Sequence, residues 1–226
     1  MDAAAVELAM KKARDHFGSL DVLVNNASAI SLVGSETLSV KQFDLMNQIN
    51  NRGTFLCGRA AIPFLRESAS RGRNPSILNL SPPLNMNPQW FSKHPAYTAA
   101  KYAMSLYVLG WAEELREHGI RANALWPRST IATAAVKNLL GGDALVEMSR
   151  TPDIMADAAF LILSGQQTGK FEIDDAVLLR AGATAADLAK YNVVPGNDLA
   201  ADFFLDDADE ILAALKKGVV LPKARL

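Results

Sequence analysis

The chain has little that would cross-link, anchor or steer it. It has one cysteine, Cys57, in 226 residues, which excludes an internal disulfide and fits a reducing compartment. No apolar run approaches the ~20 residues that a membrane-spanning helix needs. Neither charge sign prevails. Lys and Arg number 23 against 24 Asp and Glu, a net charge of −1, so broad attraction to nucleic acid or to an anionic membrane surface is not expected. His16, His94 and His118 are scattered, and nothing near them has metal-ligand spacing, so no metal is expected. The 14 glycines nowhere gather in a cluster of three, so no glycine-rich turn is available to receive a phosphate. The opening MDAAAVELAMKKARDHFG carries Glu7 and Asp15 and no apolar centre, so it does not read as a signal peptide.

What is present reads as alternation. Half the residues are hydrophobic, enough for one sizeable core and a small appendage. Residues 3–17 form an amphipathic helix pattern closed by Gly18. Val22, Leu23 and Val24 make a short continuous apolar run, the mark of a parallel strand covered on both faces, with Asn25 and Asn26 at its carboxyl end. Helices are expected over 39–48 and 50–68, the second apolar nearly all round and kinked at Pro63. A strand over 76–81 is stopped by Pro82 and Pro83. The loop 82–94 carries Trp90 and Phe91, and a helix over 95–118 stops at Gly119. Then come a strand over 120–127, a short helix over 130–140, a helix over 151–165 and a last strand within 171–178. Beyond Gly182 the texture is irregular apart from a helix over 207–218, which suggests a domain over 1–182 and an extension over 183–226. The order implies an α/β fold, a doubly wound, Rossmann-like parallel sheet with helices on both faces.

The helix over 95–118 carries the chemistry. Tyr97 and Lys101 lie four apart, so they share a face one turn apart. An ammonium beside a phenol favours the phenolate, and such a tyrosine can exchange a proton near neutral pH. The spacing alone is common on helix surfaces. Four further pieces accompany it in order: Asn25-Asn26-Ala27 after a strand, Asn50 with Arg52-Gly53-Thr54-Phe55 in a helix, Ser81 at a strand end, and Pro127 closing the next strand with Thr133 beyond. Together they resemble the short-chain dehydrogenase/reductase family, and LNLSPPLNMNPQWF, AYTAAKYAMSLYVLGWAEEL and NALWPRSTIATAA resemble its hydroxysteroid dehydrogenase-like branch.

The resemblance implies an NAD- or NADP-dependent oxidoreductase that moves a hydride to or from a carbonyl or secondary alcohol, with a lipid- or steroid-like compound suggested as substrate. It makes Tyr97 the general acid/base. Lys101 would support the phenol and bind the nicotinamide ribose, Asn50 would hold a water leading from Lys101 to solvent, and Ser81 would bond the substrate oxygen. Asn25, Asn26, Ala27, Pro127, Ile131 and Thr133 would line the cofactor, Asn25 either directly or by tying neighbouring strands. The chain departs from the family pattern: Pro82 follows Ser81, leaving Asn85 as an alternative to Ser81; the loop to Tyr97 is longer than usual; Arg128 replaces a glycine after Pro127, and the threonine sits one place late at Thr133; and the glycine-rich turn with the first strands of the usual sheet is expected to be absent. The last departure would leave the strand at 22–24 as an exposed edge and impair cofactor binding. It motivates a competing reading, a truncated, non-catalytic chain that acts as an interaction or dimerisation partner.

Trp90, Phe91 and Trp126 suit an apolar substrate wall or a core. Cys57 reads as a packing residue, and Asp174, Asp175, Asp206, Asp207 and Asp209 as solvated loop and cap charges. The helices over 50–68 and 95–118 resemble the family's dimer interface, so a homodimer or homotetramer is expected. The ending Ala-Arg-Leu resembles a peroxisomal address, relevant in a eukaryote; otherwise the cytoplasm is expected.

Overall fold

The structure, a computed structural model, describes residues 2–221. The elements follow in order as α1 (Ala3–Phe17), β1 (Val22–Asn25), α2 (Val40–Met46), α3 (Thr54–Ser70), β2 (Ser76–Asn79), α4 (Gln89–Ser92), α5 (Pro95–Glu114), β3 (Arg121–Trp126), α6 (Gly142–Glu147), α7 (Asp153–Ser164), β4 (Phe171–Ile173), α8 (Asp174–Arg180), α9 (Ala185–Leu188) and α10 (Ala208–Lys216). The four strands form one sheet in the order β1-β2-β3-β4. β1 pairs parallel with β2, Leu23 opposite Ile77, and β2 parallel with β3, Ile77 opposite Ala122. The expected α/β sheet is what the chain forms.

Two compact units divide the chain. The first holds residues 1–124 and 166–171, the second 125–165 and 172–226. The extension over 183–226 therefore falls within the second unit.

In the first unit the core joins Leu23, Ile77 and Ala122 from the strands to Ala61 and Leu65 of α3, to Trp111 of α5 and to Leu115 just beyond it. Asp2 caps α1 and Gly18, in the left-handed region, ends it. Leu23 is buried, but Val22 and Val24 are 39% and 45% exposed. The face shared by Val22 and Val24 thus lacks the expected cover among the described residues, where β1 is also the edge strand. The two helices expected over 39–48 and 50–68 are not separated. α2 runs through a π-helical stretch, Asn47–Gly53, into α3. Pro63 sits inside α3 on its exposed side, where its missing donor and ring meet solvent.

In the second unit Ile131, Ile154, Leu178, Leu188, Tyr191, Ile211 and Leu215 form a core. Of the helix expected over 130–140, residues 134–140 are helical, Val136–Leu140 as a π-helical turn, while Ile131 forms a bridge instead. Trp126 belongs to this interior. Its indole Nε1 donates to the Phe203 carbonyl at 2.9 Å, and its ring meets Phe204 edge-on.

Candidate active site

α5 begins with Pro95 at its first position, where a missing N–H costs nothing. Two neighbouring stripes of the helix then do different work. Tyr97, Lys101 and Met104 recur at i, i+4 and i+7, and all three are buried. The Lys101 ammonium donates to the Leu80 carbonyl at 2.6 Å and lies 3.6 Å from Met104 Sδ. This holds the positive charge at the carboxyl end of β2, one residue from Ser81. Asn79 anchors the same junction: its amide donates to the Met104 carbonyl at 2.8 Å and its Oδ1 accepts from Asn25 Nδ2 at 2.8 Å.

The second stripe, Thr98, Tyr102 and Ser105, straps the loop 82–94 onto α5. Thr98 Oγ1 donates to the Trp90 carbonyl at 2.6 Å, the Tyr102 hydroxyl to the Asn85 carbonyl, and Ser105 Oγ to the Pro82 carbonyl at 2.6 Å. Phe91 packs edge-on against Tyr102. Sequence reading missed these three residues, although their i, i+4, i+7 spacing was a visible signal. It missed His94 too. That imidazole is buried, lies edge-on to Tyr97 with ring centroids 5.8 Å apart, and shares a 3.2 Å contact between Nδ1 and Thr98 Oγ1. Burial, together with Lys93, pushes its pKa below the ordinary histidine value.

Asn50 lies fully buried in the π-helical stretch. Its amide forms a two-point clamp on Ala29, accepting from the backbone N–H and donating to the carbonyl, each at 2.8 Å. The side chain therefore fixes the loop that carries Asn26 and Ala27, both of them exposed. The neighbouring Asn51 Oδ1 accepts from the Tyr107 hydroxyl at 2.7 Å, which ties the same stretch to α5.

Ser81 Oγ is fully buried and has no hydrogen-bond partner among the described residues. Asn85 Oδ1, by contrast, accepts from the Asn87 N–H at 3.0 Å and so closes a local turn.

The family model for short chain dehydrogenases matches residues 1–142 of this chain. The chain belongs to the short-chain dehydrogenase/reductase family. Hydroxysteroid dehydrogenase-like protein 2 from Xenopus tropicalis is 49% identical over 215 residues, 94% of this chain and 50% of that protein. The Homo sapiens protein of the same name is 47% identical over 213 residues, 93% of this chain and 48% of its own length. The chain thus spans about half the length of the curated relatives it matches. Among solved structures, a putative dehydrogenase from Xanthomonas campestris superposes with a TM-score of 0.84 at 45% identity, covering 91% of this chain and 74% of that one. A 3-ketoacyl-(acyl-carrier-protein) reductase from Brucella melitensis complexed with NADH gives 0.66 at 29% identity, covering 76% and 72%.

The remaining family positions lie in the second unit. Pro127 is buried, Ile131 packs in that unit's core, and Thr133 is exposed, its hydroxyl accepting from the Val136 N–H at 3.4 Å. Arg128, the departure from the family glycine, is buried, with its Nε 2.8 and 3.0 Å from the two oxygens of Asp175. Arg150 Nη1 reaches the same carboxylate at 3.0 Å. Asp174 Oδ1 accepts from the N–H groups of Arg128 and Asp175. These findings correct the reading of Asp174 and Asp175 as solvated charges. Both are fully buried: two guanidiniums compensate Asp175, whereas Asp174 has two backbone N–H groups on Oδ1 and no hydrogen-bond partner on Oδ2 among the described residues. Asp206, Asp207 and Asp209 are exposed, as expected. Cys57 packs against the first unit's core, where burial pushes its thiol pKa up.

Proposed function

We propose that the chain is an NAD- or NADP-linked oxidoreductase that moves a hydride to or from a carbonyl or secondary alcohol, with Tyr97 as general acid/base. The observation that carries this is the junction of α5 with β2. Tyr97 and Lys101 share a buried stripe, and the Lys101 ammonium is held at the strand's carboxyl end beside an unpartnered Ser81 hydroxyl. Ligands of open parallel sheets gather at that edge.

The residues present fit the nicotinamide end of a dinucleotide. Ser81 Oγ, buried and unsatisfied, suits a substrate oxygen, while Lys101, Asn26 and Ala27 would hold the ribose. Nothing in the chain supplies a glycine cradle for the pyrophosphate. When bound, the nicotinamide supplies or takes the hydride. The protein's own part is proton transfer. Tyr97 gives its hydroxyl proton to the oxygen of a carbonyl under reduction, or takes one from an alcohol under oxidation, while the Lys101 ammonium favours the phenolate form. Ser81 donates to the same oxygen and orients it. Asn50 keeps the Asn26-Ala27 loop in register through Ala29. Asn25 serves by tying β1 to β2 through Asn79.

The likeness to hydroxysteroid dehydrogenase-like proteins supports a lipid- or steroid-like substrate. Tyr97→Phe is the direct test: carbonyl reduction with NADH or NADPH should fall about 10²–10⁴-fold with the fold intact by circular dichroism. Unchanged turnover rejects the mechanism.

A second reading has its own support, namely the partly exposed edge of β1 and the lack of a glycine cluster. It makes the chain a non-catalytic interaction partner. Titration with NADPH, followed by fluorescence, decides between them: micromolar binding excludes the second reading, and no binding excludes the first. Either reading accommodates a homodimer or homotetramer through α3 and α5, whose Phe55, Leu106 and Leu109 are exposed. No helix among the described residues is long and apolar enough to cross a membrane. The cytoplasm is the proposed location, or the peroxisome in a eukaryote. The Ala-Arg-Leu ending lies outside the described residues.

A further inference from the structure

The second unit contains a cavity of about 490 Å³ within the size range of small-molecule sites. Its walls are largely apolar and include Leu188, Leu199, Leu212 and Leu215. Two polar residues face each other at its inner side. Arg150 and Asn192 form an antiparallel bridge, which points opposed side chains to the same face, and both line the cavity. Arg150 Nε is a buried donor and Asn192 Oδ1 a buried acceptor without a hydrogen-bond partner among the described residues, and of the two only the arginine Nε–H suits an anion. Arg150 is only 2% exposed, and its Nη1 is held by Asp175 at 3.0 Å, so the guanidinium is fixed with its Nε–H unused. A buried donor left without a partner is costly, and a ligand oxygen would relieve that cost.

Behind this wall Arg150 shares the Asp175 carboxylate with Arg128, whose Nη1 also lies 3.9 Å from Asp207. Of the charges that line the cavity besides Arg150, Asp198 is paired with Lys216 at 2.7 Å, and Asp209 is exposed in the first turn of α10.

We infer that this cavity binds a small aliphatic monocarboxylate, its tail among the leucines of the second unit and its carboxylate on Arg150 Nε. The site shares no residue with the group around Tyr97, so it stands or falls separately from the proposed redox chemistry.

The test uses the full chain and isothermal titration calorimetry with decanoate and 1-decanol as probes. Decanoate should bind, and decanol should bind about tenfold or more weakly, because it lacks the charge-assisted bond. Arg150→Lys keeps the charge but loses the fixed Nε donor, and should weaken decanoate about tenfold with little change for decanol; undiminished decanoate binding by this variant overturns the assignment to Nε. Ala213 lines the cavity from the exposed side of α10, so Ala213→Trp should fill the space without disturbing the core and abolish binding of both. That variant keeps the test decisive if Arg150→Lys fails to fold. Absence of decanoate binding at millimolar concentration, equal binding of the two probes, or undiminished binding by Ala213→Trp each overturns the inference.

Discussion

Ser81 and Asn79 lie two residues apart and illustrate two fates of a buried polar side chain. Asn79 is fully engaged, with Asn25 on one side and the Met104 carbonyl on the other. Asn79→Ala strands both partners in the interior and should cost about 2–3 kcal/mol, read from urea unfolding. Ser81 Oγ has no partner among the described residues. Ser81→Ala should therefore leave the urea midpoint unchanged or slightly raised, while lowering turnover by roughly 10²-fold if the hydroxyl orients the reacting oxygen. The two variants separate structural from chemical use of the strand end. Tyr97 and Lys101 were legible from spacing, since a helix repeats its faces every three to four residues. The partner of Asn50 was not. A buried amide will bond some backbone, but nothing in its local sequence selects Ala29.

At the level of elements, α3 and α5 meet where Gly58 lies under the indole of Trp111. A Cβ added at Gly58 would come within 2.3 Å of that ring. Gly58→Ala should therefore force the helices apart and cost about 1–3 kcal/mol, an overpacking effect measurable by denaturant titration. α8 makes a different prediction. Asp174, at the start of that helix, is shifted from its ordinary 3.8 up to about 7 by burial and by the neighbouring Asp175, against the opposing pull of Arg150. Between those values the folded chain keeps a proton that the unfolded chain has lost, so stability falls as pH rises through the window and levels off above it. Asp174→Asn retains the acceptor oxygen and removes the titration. The decline in urea midpoint from about pH 5 to about pH 8 should flatten in that variant.

For the whole molecule, the exposed Leu106 and Leu109 of α5 make association the testable property. Light scattering should report a dimer or tetramer at micromolar concentration, and Leu106→Glu with Leu109→Lys should yield a folded monomer. A monomeric parent chain rejects the interface.

Much of this protein could be read without coordinates. The alternation of helix and strand and the placing of Tyr97 and Lys101 on one stripe of a helix follow from local periodicity, which depends only on residues a turn or a pleat apart, and the parallel sheet follows from the order of those elements. The tertiary structure alone decided that Thr98, Tyr102 and Ser105 hold the loop before α5, and that Asp174 and Asp175 are buried, Asp175 against Arg128 and Arg150. In each of these cases the deciding partner lies far along the chain, or is a backbone carbonyl with no side-chain signature. Which distant groups share an interior is set by packing and by the need to satisfy every buried charge and donor, and a local pattern does not contain that information.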